Sequence, residues 1–169
     1  MILKTFISIL LLIFNLQISA GQTVQSSQYK CYKDFEYTER TVFSKSEIAP
    51  RYKYGNIALL NFLTKNIDFT TLALDKTTKY FRDTVQISFI IPKDREMNNL
   101  TITKTKNEAF KTQLNHLFKE SACDWMAGFI GGRNVISQVV LNIYYTIRRD
   151  QNDVSLQLAC ELVNKWNRK

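Results

Sequence analysis

The sequence predicts an α+β fold: a small antiparallel sheet with helices packed on one face. Three observations predict it. Val85, Ile87, Phe89 and Ile91 alternate with Gln86 and Ser88, which is the two-residue period of a half-buried strand. Phe110, Leu114, Leu117 and Phe118 recur at helical spacing. Val135 to Ile147 is an apolar, β-branched run, the strongest strand signal in the chain. With 169 residues, 45% of them apolar and 22% charged, the chain is long enough for one globular core. Five glycines and two prolines exclude collagen-like sequence, a proline-rich spacer and a long low-complexity linker.

In chain order, residues 1–21 read as a secretory signal peptide. Lys4 gives the positive start, Phe6 to Leu16 is largely apolar, and Ser19-Ala20-Gly21 supplies small residues for cleavage. The apolar stretch is roughly 16 Å as helix against roughly 30 Å of hydrocarbon, which favours cleavage over the alternative of a retained anchor. Residues 22–45 form an N-terminal extension, in which Tyr29 to Phe43 reads as an irregular or edge strand and an extra member of the sheet. Ser44 to Tyr54, with Pro50, is a connection ending at Gly55. A helix follows over Asn56 to Ile67, with Asn56 as N-cap and Ile57, Leu59, Leu60, Phe62 and Leu63 on one wide face. Asp68 to Asp83 reads as loop with a short turn. Thr84 to Ile91 and Asn99 to Lys104 form a hairpin around the turn Pro92 to Glu96.

Thr105 and Glu108 have capping-box spacing and open the second helix, which ends near Ser121. Ala122 to Asn134 is a connection carrying Cys123, Trp125, Gly128, Gly131 and Gly132. After the strand Val135 to Ile147, residues 148–169 hold a turn and a C-terminal helix. Val154, Leu158, Ala159, Leu162, Val163 and Trp166 lie along one side of that helix. Three main strands, two packed helices and an additional final helix result.

The net charge of +8 is spread along the chain rather than gathered into a stripe. Nucleic acid is therefore not an expected partner. An exported chain permits disulfides, and Cys31, Cys123 and Cys160 allow one bridge between two of the three. Their spacing matches no zinc pattern, and His116 is the lone histidine, so neither a metal nor a small-molecule cofactor is expected. No serine nucleophile elbow or phosphate-binding glycine loop is present, and Asp68, Asp75 and Asp83 are scattered through one loop. The chain reads as a non-enzyme, with a small secreted hydrolase as a minor alternative. Gly131-Gly132 with Arg133 reads either as an anion nest or as a plain turn before the strand.

Over residues 46–147 the order of elements resembles the C-terminal domain of TonB, the energy transducer of Gram-negative bacteria, especially the variants common in Bacteroidetes. The resemblance rests on Tyr54-Gly55-Asn56 leading into Ile57 to Leu63, on Val85 to Asp94, and on Leu100 to Thr105 followed by Glu108 to Phe118. It also rests on Trp125, Gly128, Gly131-Gly132 and the strand Val139 to Thr146. Ala127 stands where the family has proline after that Trp, and Arg95-Glu96 stand where it has a hairpin glycine. Gly55, Trp125, Gly128 and Gly132 would be structural residues.

The resemblance implies a domain that grips an envelope protein by adding the partner's extended segment to a sheet edge. With two prolines and no retained anchor, the chain would have the grip without the energy-transducing rod. The candidate edge is Val135 to Ile147, with Val135, Ser137, Val139, Leu141, Ile143 and Tyr145 as partner-binding residues; a plain core strand is the other reading. Expected partners are an envelope protein or extended peptide in the periplasm or outside the cell, with a homodimer as a further form. A secreted structural or inhibitor-like module is the alternative function. Trp125 reads as a core plug rather than a partner anchor.

Overall fold

The computed structural model of the chain describes residues 29–34, 41–72, 77–150 and 153–163. The predicted signal segment 1–21, Asp75 and Trp166 lie outside these residues. Among them, β1 is Arg51–Tyr52, α1 Gly55–Asn66, β2 Tyr80–Ile91, β3 Asn98–Thr103 and α2 Glu108–Glu120. Then come β4 Trp125–Met126, β5 Gly128–Ile130, β6 Arg133–Val135, β7 Ser137–Asp150 and β8 Asp153–Leu162. The main sheet is antiparallel with strand order β3-β2-β7-β8; β1–β4 and β5–β6 form two small pairs. The fold is α+β, as the residue pattern predicts.

Alternation sets the layers. Odd-numbered Val85, Ile87, Phe89 and Ile91 of β2 and Val139, Leu141, Ile143, Tyr145 and Ile147 of β7 are buried under the two helices. Leu59 and Leu63 of α1 and Phe110, Leu114, Leu117 and Phe118 of α2 cover them. β2 pairs with β7 along its whole length, from Tyr80 opposite Arg148 to Ile91 opposite Ser137. Even-numbered residues such as Gln86, Ser88, Asn142 and Tyr144 line the other, uncovered face.

The helix starts differ from the sequence reading by their caps. At α1 the turn is made by Gly55 at φ +84°, so Asn56 falls inside the helix rather than capping it. At α2 the cap is Asn107, whose Oδ1 accepts the Phe110 N–H at 2.9 Å. Thr105 Oγ1 instead accepts the Asn107 N–H, one residue short of the Glu108 N–H that a capping box would use. In the β2–β3 turn Arg95 has φ +67°, the left-handed position at which glycine is commoner.

Three expectations are corrected. The predicted C-terminal helix is strand β8 over its described part. Val154, Leu156, Leu158, Cys160 and Leu162 pack against the core edge, while Ser155, Gln157, Ala159 and Glu161 are exposed. The reason is placement: β7 ends beside Asp153, and a two-residue connection folds the chain straight back onto it, Asp150 opposite Asp153. The sheet therefore has four main strands, and position 147 is no boundary, since β7 continues to Asp150. The N-terminal extension is not a strand in its described residues. It touches the sheet through two isolated parallel bridges, Tyr32 with Met97 and Phe43 with Ser137. Finally, the connection after α2 holds three short strands, and residues 51–52 pair with Trp125–Met126.

Candidate functional site

The predicted docking edge is overturned. β7 lies between β2 and β8 and has a neighbour on both sides. From Leu141 to Asp150 its second side is taken by β8; at Ser137 it is taken by Phe43, with Phe43 N–H to Ile136 C=O at 2.8 Å and Gln138 N–H to Phe43 C=O at 3.0 Å. Val139, Leu141, Ile143 and Tyr145 are core side chains, and Val135 belongs to β6. Ser137 is fully buried: its Oγ donates to Val135 C=O and accepts the Gly128 N–H, both at 2.8 Å. A Cβ on Gly128 would lie 2.4 Å from Ser46 Oγ and 2.7 Å from Ser137 Oγ, so only glycine fits this junction. None of the five residues on β7 offers an open backbone ladder, because a strand with two neighbours has used both its sides, and Val135 pairs with Gly128 in the small β5–β6 ribbon.

The sheet has two other edges, and they differ. β3 is blunted. Its pairing with β2 is interrupted by an irregularity between Ser88 and Ile90, and Asn99 and Lys104 have φ values of +52° and +60°. The N-terminal segment is hydrogen-bonded beside its start, Met97 N–H to Cys31 C=O at 2.8 Å and Lys33 N–H to Met97 C=O at 3.0 Å. Cys31 is held there by a bridge to Cys123, with Cα atoms 5.0 Å apart.

β8 carries no such protection. Its register with β7 is unbroken from Asp153 to Leu162, it contains no proline or lysine, and among the described residues no strand pairs with its outer side. The ladder fixes which groups point outward. Val163 N–H bonds to Val140 C=O at 2.8 Å, so hydrogen-bonded pairs recur at Glu161, Ala159, Gln157 and Ser155. On the far side of β7, Arg149 N–H bonds to Lys79 C=O, consistent with even-numbered β7 residues serving β8. The N–H and C=O groups of Val154, Leu156, Leu158 and Leu162 therefore face away from the sheet. Their side chains form a half-buried apolar row, which an added strand would finish covering. Beyond Leu162 lies an open hollow of about 340 Å³ lined by Ile48, Pro50, Tyr52, Trp125, Leu141 and Leu162.

The remaining candidates are structural in their contacts. Trp125 is 2% exposed, its ring 4.7 Å from Phe89 and stacked on Phe118 at 6.0 Å, and its Nε1 donates to Ser121 Oγ at 3.4 Å. Gly131 and Gly132 form the β5–β6 turn at φ +55° and +81°, and the Gly131 N–H donates to the Glu47 carboxylate at 3.2 Å. A carboxylate of the chain itself thus takes that anion contact. His116 is exposed on α2, 3.8 Å from Glu120. Among the described residues, no group of three or more His, Cys, Asp or Glu is placed to hold a metal.

The carboxylates named as hydrolase candidates are occupied. Asp68 caps a single 3-10 turn, accepting the Thr70 hydroxyl and N–H, which hold its pKa below the ordinary value. Asp83 accepts Thr84 N–H at 2.8 Å, Lys106 N–H at 3.0 Å, Tyr145 Oη at 3.2 Å and Thr105 Oγ1 at 3.3 Å. Burial acts to raise its pKa, but these four donors together outweigh burial and bring it below 3.8. Burial beside Asp83 pushes the Tyr145 phenol up to about 12. Asp83 thereby staples β2, β7 and the approach to α2.

A lowered folded-state pKa gives stability that is present above the unfolded value and lost as pH falls through the folded one. Asp83→Ala is expected to cost about 1–2 kcal/mol at pH 7, at the lower end because the carboxylate is partly solvated. Urea unfolding of both proteins should show that difference shrinking below the unfolded value of 3.8. A difference independent of pH would refute the charged staple.

The Cys31–Cys123 bridge fits an oxidising compartment outside the cytoplasm. Among the described residues no helix is long and apolar enough to cross a membrane. Comparison of the chain with family models, curated proteins and solved structures finds no match to any of them.

Proposed function

We propose that the chain is an exported binding module, similar in kind to the TonB C-terminal domain, that captures an extended segment of an envelope protein by strand addition on β8. The observation that supports this reading most is the contrast between the two sheet edges. β3 is shielded by an irregular register and a disulfide-held segment, whereas β8 has a regular outer ladder with a half-covered apolar row. Natural sheets shield long flat edges unless pairing is their use. A strand laid antiparallel or parallel on β8 gains main-chain bonds to Val154, Leu156 and Leu158. Its alternate apolar side chains extend the buried row, and one at its end reaches the hollow beyond Leu162. The partner segment is thus expected to alternate apolar and polar residues.

The test separates the backbone from the side chain. Leu156→Pro deletes one outward donor and leaves the bonds to β7, whereas Leu156→Ala deletes only packing. Peptides selected from a displayed random library by the folded chain should slow amide exchange at Val154, Leu156 and Leu158. The proline variant should bind them about fivefold to tenfold more weakly than the alanine variant, the worth of one ladder bond. Equal binding by the two variants, or selected peptides that leave β8 exchange unchanged, would remove β8 as the site.

A further inference from the structure

On the sheet face away from the helices, β2, β7 and β8 together shape an open hollow of about 440 Å³ lined by Arg82, Thr84, Tyr144, Thr146, Gln157 and Ala159. That volume falls in the roughly 300–1,000 Å³ range of small-ligand sites. We propose that this hollow binds a carboxylate-bearing oligosaccharide, its acid group at Arg82 and its hydroxyls along Thr84, Thr146 and Gln157. The proposal concerns the open face and is independent of strand addition at the β8 edge.

Charge complementarity is the first support. Arg82 and Arg148 flank the ring of Tyr80, with guanidinium carbons 5.7 and 5.9 Å from its centroid, and neither makes an ion pair among the described residues. Two positive planar groups held by one ring are pre-set for a carboxylate, which guanidinium binds in a two-point fork. Among the described side chains, the carboxylates that share this face are Asp150 beyond Arg148 and Glu161 at the opposite end, where Tyr144 Oη donates to Glu161 at 3.1 Å. Against Asp150, the two guanidinium groups leave that end with one net positive charge among the described side chains, and Glu161 makes the other end negative.

The spread of the polar groups is the second. Thr84, Thr146 and Gln157 come from three adjacent strands, with Arg82 opposite Thr146 and Thr146 opposite Gln157. Strands lie about 4.8 Å apart, so these groups cover close to 10 Å. Inorganic phosphate gathers its donors around one point, whereas an extended, hydroxyl-rich molecule suits donors set out in a row. Ala159 leaves the floor low beside the Tyr144 ring, and sugar rings present C–H faces to such surfaces. Single-stranded nucleic acid is disfavoured, because it stacks successive bases on successive rings, and among the described residues this face leaves Tyr144 alone open while Tyr80 carries two guanidinium groups. A chain with a charge at every unit would also meet Glu161. One acid group per two sugars fits the polarity of the face.

The test is a titration of the full chain, followed by backbone amide shifts, with a tetrasaccharide of alternating glucuronate and N-acetylglucosamine. A neutral tetrasaccharide of N-acetylglucosamine, inorganic phosphate and a single-stranded oligonucleotide are the comparison probes. The acidic sugar is expected to bind at millimolar concentration or below and to shift Thr84, Thr146 and Gln157. Arg82→Gln is expected to weaken it about tenfold, and Thr84→Val to weaken it less, with both variants keeping the parent's unfolding midpoint. Equal binding of the neutral sugar, tighter binding of phosphate or oligonucleotide, no effect of Arg82→Gln, or no shift of these amides at millimolar sugar would each overturn the proposal.

Discussion

Replacing Cys31 and Cys123 together by serine is expected to lower unfolding stability by about 4 kcal/mol. The bridge closes a loop with sequence separation 92, and removing it returns the entropy of that loop to the unfolded chain. A domain of ordinary stability has about 5–15 kcal/mol in total, so the variant should be close to unfolding at body temperature. The double substitution is needed because a single one leaves an unbridged thiol in a chain that holds a third cysteine, Cys160. The local consequence should be ordered. Met97 and Lys33 lose the segment that shields the start of β3, so amide exchange there should rise before the rest of the sheet opens. Urea curves of the parent and the double variant measure the first effect. A variant with the parent's midpoint and unchanged exchange at Met97 would mean that the bridge holds nothing.

Trp125→Ala is expected to cost about 3–5 kcal/mol, the range for a large aromatic removed from a full core. Its ring fills the space between Phe89, Phe118 and Tyr52, so the loss leaves a cavity that three rigid aromatic neighbours cannot collapse. Trp125→Phe should cost less, through a smaller ring and the lost bond to Ser121 Oγ. Near-ultraviolet circular dichroism and denaturant unfolding measure the two variants. If Trp125→Ala kept parental stability and lost only partner capture, the residue would be a surface anchor after all.

Much of this architecture is legible in the residues, for definite reasons. The α2 stripe Phe110, Leu114, Leu117 and Phe118 is buried as read, whereas on α1 only Leu59 and Leu63 of the wide apolar face are buried and Ile57 is exposed. β2 and β7 bury their odd-numbered apolar residues on the covered face, although Ile90 and Val140 also put apolar side chains on the other. The last segment is misread because Val154, Leu158 and Leu162 are spaced by four, a step that a helix and a strand both satisfy. Leu156 and Cys160 decide for the strand, while Ala159 and Val163 argue for the helix. What tips the balance is tertiary: the outer side of β7 is available two residues away, and a lone amphipathic helix would have had to find a face elsewhere. Burial of β7 between two strands follows from the same event, so the docking residues placed on it inherit the error. The disulfide pairing is not readable from spacing, because it depends on where the N-terminal segment crosses the end of β3. The open-face hollow is invisible for a similar reason. Arg82, Thr146 and Gln157 are far apart in sequence, and only register brings them abreast.

The two-residue connection between β7 and β8 has a kinetic meaning. That hairpin can zip in microseconds once its residues exist, whereas β2 must wait for a strand 46 or more residues downstream, Ile91 opposite Ser137 being the nearest pairing. During synthesis, therefore, the β2–β3 ribbon and α1 stand with an uncovered oily side until the final third of the polypeptide arrives. Chaperone dependence should be concentrated in that interval, and a chain halted before β7 would be prone to clump rather than rest half-folded.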